Sequence, residues 1–296
     1  MSRIHFGMQT PPIKTWAEMR DDWLRYEALG FESLWIPDHL IRPFDREEWM
    51  QEAWTLLAGL AAVTEKVRLG ILVSCNTFRH PALLAKQAVT VDHVSNGRLE
   101  LGVGAGWFVP EHEMFGIPFP EKAELVARYR EAVELIDVYI SNDVSSYSGT
   151  YYQLTDAPCR PGPIQTPRPP LTLGAHGPIM LKIVAKHADR WNTVGTVDQM
   201  RERNKRLDDA CAAIGRDPKS ILRSSLFVPA QMPEENPWAS IDAFTDYVGR
   251  FREAGMEEFL FQPPLDRSWD VIERAATEVM PGLRETASAA RRQDGK

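Results

Sequence analysis

Eight times along this 296-residue chain a short, apolar, β-prone run is followed by a stretch with helical spacing. The runs are Ile4–Thr10, Ser33–Ile36, Arg68–Val73, Leu99–Val103, Leu171–Leu173, Arg190–Val194, Ile221–Val228 and Glu258–Phe261. Strands separated by helices must pair in parallel, because a tight turn cannot join parallel neighbours. Eight such units close naturally into a (β/α)₈ barrel, the α/β class of fold predicted here. An open doubly wound sheet is the alternative. It would carry a glycine fingerprint after its first strand, and Gln9-Thr10-Pro11-Pro12 has none. We expect one barrel over residues 1–285, with short insertions, and a polar C-terminal tail over residues 286–296. The insertions fall between the fourth and fifth runs. They comprise a long Pro- and aromatic-rich loop, the helix Glu124–Ser141, a hairpin within Asn142–Gln153 around Ser148-Gly149, and an extended connector Ala157–Pro170. The last helix is predicted over Trp269–Val279, ending before Pro281.

Composition narrows the function. A net charge of −7 without a basic stripe argues against a nucleic-acid partner. No apolar run approaches the ~18 residues of a membrane span, and Met1–Phe6 lacks a signal-peptide core. Three widely spaced cysteines (Cys75, Cys159, Cys211) point to a reducing cytoplasm and not to a disulfide framework. The seven histidines are scattered, with no ligand spacing, so no metal site is predicted.

In a barrel the chemistry belongs to the loops at the C-terminal ends of the strands. The segment His80–Trp107 reads as helix, turn, strand and glycine-rich loop, with Gly102, Gly104 and Gly106 letting the backbone approach something closely. Asp38-His39 follows the second strand as an adjacent acid and imidazole; it could move a proton or simply cap a helix. Trp107 and Phe108 are candidate walls of a substrate pocket, with Gln9, Glu111 and His112 as further substrate-facing candidates. Cys75 lies at the mouth without a basic neighbour and reads as an inert thiol. Gly174-Ala175-His176-Gly177, followed by Pro178, is either a tight turn or an anion site at a helix start. The loops Pro229–Pro237 and Gln262–Asp266 are poorer in glycine and less suited to an anion.

A series of segments, in order from about residue 4 to 195, resembles the bacterial luciferase-like monooxygenase superfamily. The likeness is to its coenzyme F420-dependent oxidoreductase branch in particular. These segments are Trp35–His39, Leu69–Val73, Asn76–Pro81, Gly97–Trp107, Phe115–Pro120, Tyr152–Pro163 and Ala188–Asn192. The resemblance implies a flavin or deazaflavin at the barrel mouth and a bulge with a cis peptide at Leu72-Val73 backing its ring. It implies His39 as acid/base. Asp38, Leu72, Val73, Asn76, Ala105, Gly106, Gly174, Ala175, His176, Gly177, Val194 and Gly195 would be the cofactor contacts. The implied activity is hydride transfer between F420 and a small organic substrate. An FMN-dependent monooxygenase is the alternative, and a homodimer is implied for both. The glucose-6-phosphate dehydrogenases of this branch carry a Trp and a Glu where this chain has Pro43 and Trp107, so the likeness does not extend to a sugar-phosphate substrate. Arg190 and His176 likewise stand where small residues are usual.

Overall fold

The computed structural model describes residues 4–43, 45, 47–264 and 268–285. The expected tail over residues 286–296 therefore lies outside the described residues. Eight parallel staves close into a barrel. In chain order the strands are β1 (His5–Gln9), β2 (Ser33–Ile36), β3 (Arg68–Ile71) with its short continuation β4 (Ser74–Cys75), and β5 (Leu99–Gly104). An antiparallel hairpin, β6 (Val144–Ser148) and β7 (Gln153–Pro158), stands outside the barrel. The remaining staves are β8 (Leu171–Gly174), β9 (Arg190–Thr193), β10 (Leu222–Phe227) and β11 (Glu258–Phe261). Around the barrel the order is β3-β2-β1-β11-β10-β9-β8-β5, and β5 pairs back onto β3 to close it.

The helices α1 (Trp16–Ala28), α2 (Ala53–Val63), α3 (Pro81–Val94), α4 (Val109–Phe115), α5 (Lys122–Ile140), α6 (Pro178–His187), α7 (Val197–Ala212), α8 (Ile241–Glu253) and α9 (Asp270–Arg274) follow the strands. Local chemistry sets their starts. Thr15 and Thr196 form capping boxes with Glu18 and Gln199, and His80 accepts from the Ala82 amide ahead of Pro81. Three departures from the sequence reading have physical causes. The loop after β5 contains α4, started by Val109-Pro110 and closed by Gly116 in left-handed geometry. The hairpin reaches Pro158, because Glu131 of α5 accepts hydrogen bonds from the amides of Thr150, Tyr151 and Tyr152 and so moves the turn along the chain. The last helix runs on through residues 280–285: a π turn at Ala275–Val279 precedes Pro281 and absorbs the donor that proline lacks.

The barrel interior is layered. At the N-terminal ends of the strands, Arg190 lies in an ion pair with Glu100 (2.6 Å) and with Glu258 (3.1 Å), and Arg68 also pairs with Glu100. The Arg190 guanidinium lies 5.2 Å from the Trp35 ring centroid. Arg190 thus fits a strand position where glycine is usual by turning into the barrel between two carboxylates. Above this layer Trp35, Leu72, Leu226, Val228 and Leu260 form an apolar plug.

Candidate active site

The third stave breaks at its C-terminal end. β3 stops at Ile71, the Leu72-Val73 peptide is cis as expected, and β4 resumes at Ser74. The resulting protrusion explains the glycines around it. A Cβ at Gly102 would overlap the Ile71 carbonyl, one at Gly104 would overlap Val73, and one at Gly174 would sit 3.1 Å from Val73. Gly102 and Gly104 therefore accommodate the neighbouring bulge, and Gly174 lies against the same Val73 side chain. Gln9 steadies the bulge from the first stave: its Nε2 donates to the Leu72 carbonyl (2.7 Å), and its Oε1 accepts from Gln262 (2.8 Å).

Asp38 and His39 part company. The Asp38 carboxylate accepts two hydrogen bonds from Arg79, at 2.5 and 3.0 Å, and one from the Cys75 amide at 2.8 Å. It braces the segment after the bulge and does not face the imidazole, which corrects the adjacent-pair reading. The acid partner of His39 is Glu111, 72 residues further on. Glu111 Oε1 lies 2.8 Å from His39 Nδ1, and its Oε2 accepts from the Leu40 amide at 3.0 Å. A carboxylate can only accept, so Nδ1 carries a proton, and in the neutral ring Nε2 presents a lone pair. Nε2 has no hydrogen-bond partner among the described residues. The His39 side chain is 14% exposed and Glu111 only 1%. Trp107 and Phe108 meet the imidazole edge-on, with ring centroids at 5.6 and 6.2 Å, and Trp107 is itself 53% exposed.

Of the expected substrate-facing residues, Trp107 and Phe108 thus border the imidazole. Glu111 and His112 instead turn inward onto protein partners, and Gln9 is occupied at the bulge. Ala105 and Gly106 form the half-buried start of the loop, Gly106 at φ +95°. Asn76 is buried: its amide nitrogen donates to the Tyr152 hydroxyl at 3.3 Å, and its Oδ1 has no partner.

After β8, the neighbour of β5, Gly174 to Gly177 lead into α6, whose N-cap Gly177 makes no side-chain capping bond. The first amides of that helix are therefore not engaged by a cap. Ala175 is tied down through its amide to the Asn192 carbonyl and through its own carbonyl to the Trp191 indole. His176 Nδ1 lies 2.8 Å from the Thr193 hydroxyl. Arg203 donates to both Thr193 Oγ1 and the Val194 carbonyl at 2.7 Å, beside Gly195. The enclosing loop, then the Arg203 guanidinium, hold the His176 imidazole below its ordinary pKa, although the residue as a whole is exposed. A helix start with a guanidinium alongside suits a phosphate. The competing loop Gln262–Asp266 lies partly outside the described residues. Among the described residues no cluster of three His, Cys, Asp or Glu could hold a metal, and no helix is long and apolar enough to cross a membrane.

Sequence reasoning misses Arg79, Arg203, Thr193 and Tyr152. Arg79 lies inside the segment Asn76–Pro81 and is within reach of it. Arg203 lies mid-helix, where nothing distinguishes it from a solvated arginine.

The luciferase-like monooxygenase family model matches residues 1–293. The chain belongs to this family. It is accordingly an enzyme of the oxidoreductase and monooxygenase type. An uncharacterized protein of Mycobacterium tuberculosis is 29% identical over 276 residues, 86% of this chain and 90% of that one. An F420-dependent glucose-6-phosphate dehydrogenase of Amycolatopsis mediterranei is 35% identical over 169 residues, 56% of this chain and 50% of the relative. That match spans only half of the dehydrogenase. Among solved structures, an F420-dependent secondary alcohol dehydrogenase in complex with an F420-acetone adduct superimposes with a TM-score of 0.83 at 19% identity, over 95% of this chain and 99% of the other. The coenzyme F420-dependent tetrahydromethanopterin reductase of Methanopyrus kandleri gives 0.80 at 20% identity, over 95% and 100%. At these identities the structural likeness is one of fold.

Proposed function

We propose that the protein is an F420-dependent oxidoreductase that transfers a hydride between the deazaflavin and a small organic substrate. The observation that carries this reading is the His39–Glu111 pair at the barrel mouth, its imidazole bordered by two aromatic side chains. The F420-dependent relatives supply the choice of cofactor. A bound deazaflavin would supply a ring carbon that accepts or releases the hydride.

The residues present fit such a group. Val73 protrudes over Gly104 and Gly174 as a backing surface. The uncapped start of α6, the loop Gly174–Gly177, and Arg203 beside Val194 and Gly195 would hold the phosphate. Asn76 Oδ1 is a buried acceptor that lacks a donor, as a ligand contact would require. His39 Nε2 would take a proton from a substrate hydroxyl, or, once charged, return one to a carbonyl oxygen. Glu111 stabilises the imidazolium in either direction and fixes the tautomer. Trp107 and Phe108 would exclude water from that proton. Assembly as a homodimer in the cytoplasm belongs to the same reading, and light scattering of the purified protein tests the dimer.

The deciding experiment titrates the pure protein separately with F420 and with FMN. F420 is expected to bind at least ~10-fold more tightly, about 1.4 kcal/mol. Equal or tighter FMN binding, with oxygen consumption on reduction, would replace this reading with an FMN-dependent monooxygenase. Inorganic phosphate at millimolar concentration is expected to compete with the cofactor.

A further inference from the structure

Two buried titratable residues follow one another on α4, and only Glu111 faces His39. His112 faces the segment after β4. It is 1% exposed, and its ring lies against Phe78 and Phe119, with centroids at 5.0 and 4.7 Å. The Phe108 carbonyl, which can only accept, is 2.9 Å from His112 Nδ1, so that nitrogen carries a proton. In the neutral ring Nε2 is then an acceptor, and the Thr77 hydroxyl 2.6 Å away is its donor. The Thr77 oxygen in turn accepts from the Cys75 thiol at 3.0 Å. Burial pushes that thiol up to about 12, so it keeps its proton. Gly106 closes over the pair: a Cβ there would meet both Cys75 Sγ and Thr77 Oγ1 at 3.0 Å.

The hydrogen bonds therefore run in one direction, from Cys75 through Thr77 into His112 and on to the Phe108 carbonyl. The helix they enter has seven residues, and its N-cap Phe108 makes no side-chain capping bond. A helix that short has little intrinsic stability and takes its position from its anchors. Its buried polar anchors are Glu111, on the loop after β2, and His112, on the segment after β4. Successive residues of a helix point about 100° apart, so rotation that releases one anchor moves the other.

We infer that Thr77 and His112 are positioning residues that hold Glu111 against His39. The inference deepens the proposed reaction and rests on reading His39–Glu111 as its proton-handling pair. Thr77→Val keeps the side-chain shape and removes the hydroxyl, whereas Thr77→Ser keeps the hydroxyl. His112→Asn retains a donor for the Phe108 carbonyl and removes the Nε2 position that meets Thr77. Two-bond ¹⁵N–¹H correlation spectra of the labelled full-length protein report each imidazole's tautomer, and His39→Ala assigns the His39 signals.

The wild type is expected to show His112 as the neutral Nδ1–H tautomer and a slowly exchanging Nδ1 proton on His39. In Thr77→Val that His39 proton should exchange with solvent at least ~10-fold faster, and in Thr77→Ser within about twofold of wild type. His112→Asn should match Thr77→Val and reads the same link if the valine variant does not fold. A folded Thr77→Val or His112→Asn with the His39 proton unchanged overturns the inference while leaving the proposed reaction standing. So does His112 found as the Nε2–H tautomer. Absence of the Nδ1 proton on His39 in the wild type overturns the pair itself, and with it both readings.

Discussion

The two ends of this barrel hold similar chemistry in opposite conditions. At the N-terminal end Arg190, Glu100, Glu258 and Arg68 face one another across the interior, so each charge answers another charge. At the C-terminal end Glu111 answers an imidazole, and the far nitrogen of that ring bonds to none of the described residues. The first arrangement joins strands of the fold, and the second suits the proposed site, in keeping with the division of labour between the faces of such barrels. What separates them is not burial, since Glu111 and Glu258 are each 1% exposed, but whether the partner has valence left over.

The comparison can be broken most directly at Arg190. Arg190→Ala leaves Glu258 and one oxygen of Glu100 buried without their guanidinium, and should lower the unfolding free energy by about 3–5 kcal/mol in urea titrations. If the loss is under about 1 kcal/mol, the N-terminal layer is not the structural end. His39→Ala is the counterpart at the mouth. It should cut turnover ~10²-fold or more, about 2.7 kcal/mol in the barrier, with far smaller effects on cofactor affinity and on stability than Arg190→Ala has on stability. Unchanged turnover in a folded variant would remove His39 from the chemistry.

Two glycines sharpen the contrast within the mouth. Gly104→Ala drives a Cβ into Val73 and should cost about 1–3 kcal/mol of stability, seen in thermal melts. Among the described residues, none beyond its chain neighbours comes within 4 Å of a would-be Cβ on Gly177. Gly177→Val should therefore spare the fold and weaken cofactor binding by about 1.4 kcal/mol, a ~10-fold rise in Kd. The smallest expected effect concerns His176. Enclosure and the Arg203 charge disfavour its cation, so its NMR titration should run below the ordinary histidine range, and Arg203→Met should move it upward. A midpoint unmoved by that substitution would separate Arg203 from the His176 environment.

The barrel is legible in the sequence because strand and helix alternate with different hydrophobic periods, and eight units admit few closures. The bulge at Leu72-Val73 comes only through resemblance, since Leu69–Val73 by itself reads as an unbroken strand. The pair proposed to handle the proton escapes a local reading for a geometric reason. Neighbours in extended chain project to opposite sides, so Asp38 and His39 are poor candidates to meet, however close in sequence. Finding Glu111 requires knowing that the loop after β5 folds into α4, and Val109-Pro110 after two aromatics gives only a weak helix signal. Thr77 and Arg203 have no sequence signature, because their roles come from what the barrel carries past them.

The fit between Val73 and its glycines also bears on how such a chain can change by mutation. Enlarging Gly102 or Gly104 is opposed while the third stave protrudes, and a side chain at Gly174 would press on Val73. Straightening that stave would leave gaps opposite three residues with no side chains to fill them. Each change costs stability alone, so single substitutions connect the bulged mouth to an unbulged one only through destabilised chains. A lineage that acquired this arrangement would be expected to keep it while its outer loops diverged, and designs that seek a new chemistry here have more freedom at Trp107 and Phe108 than at any residue beneath them.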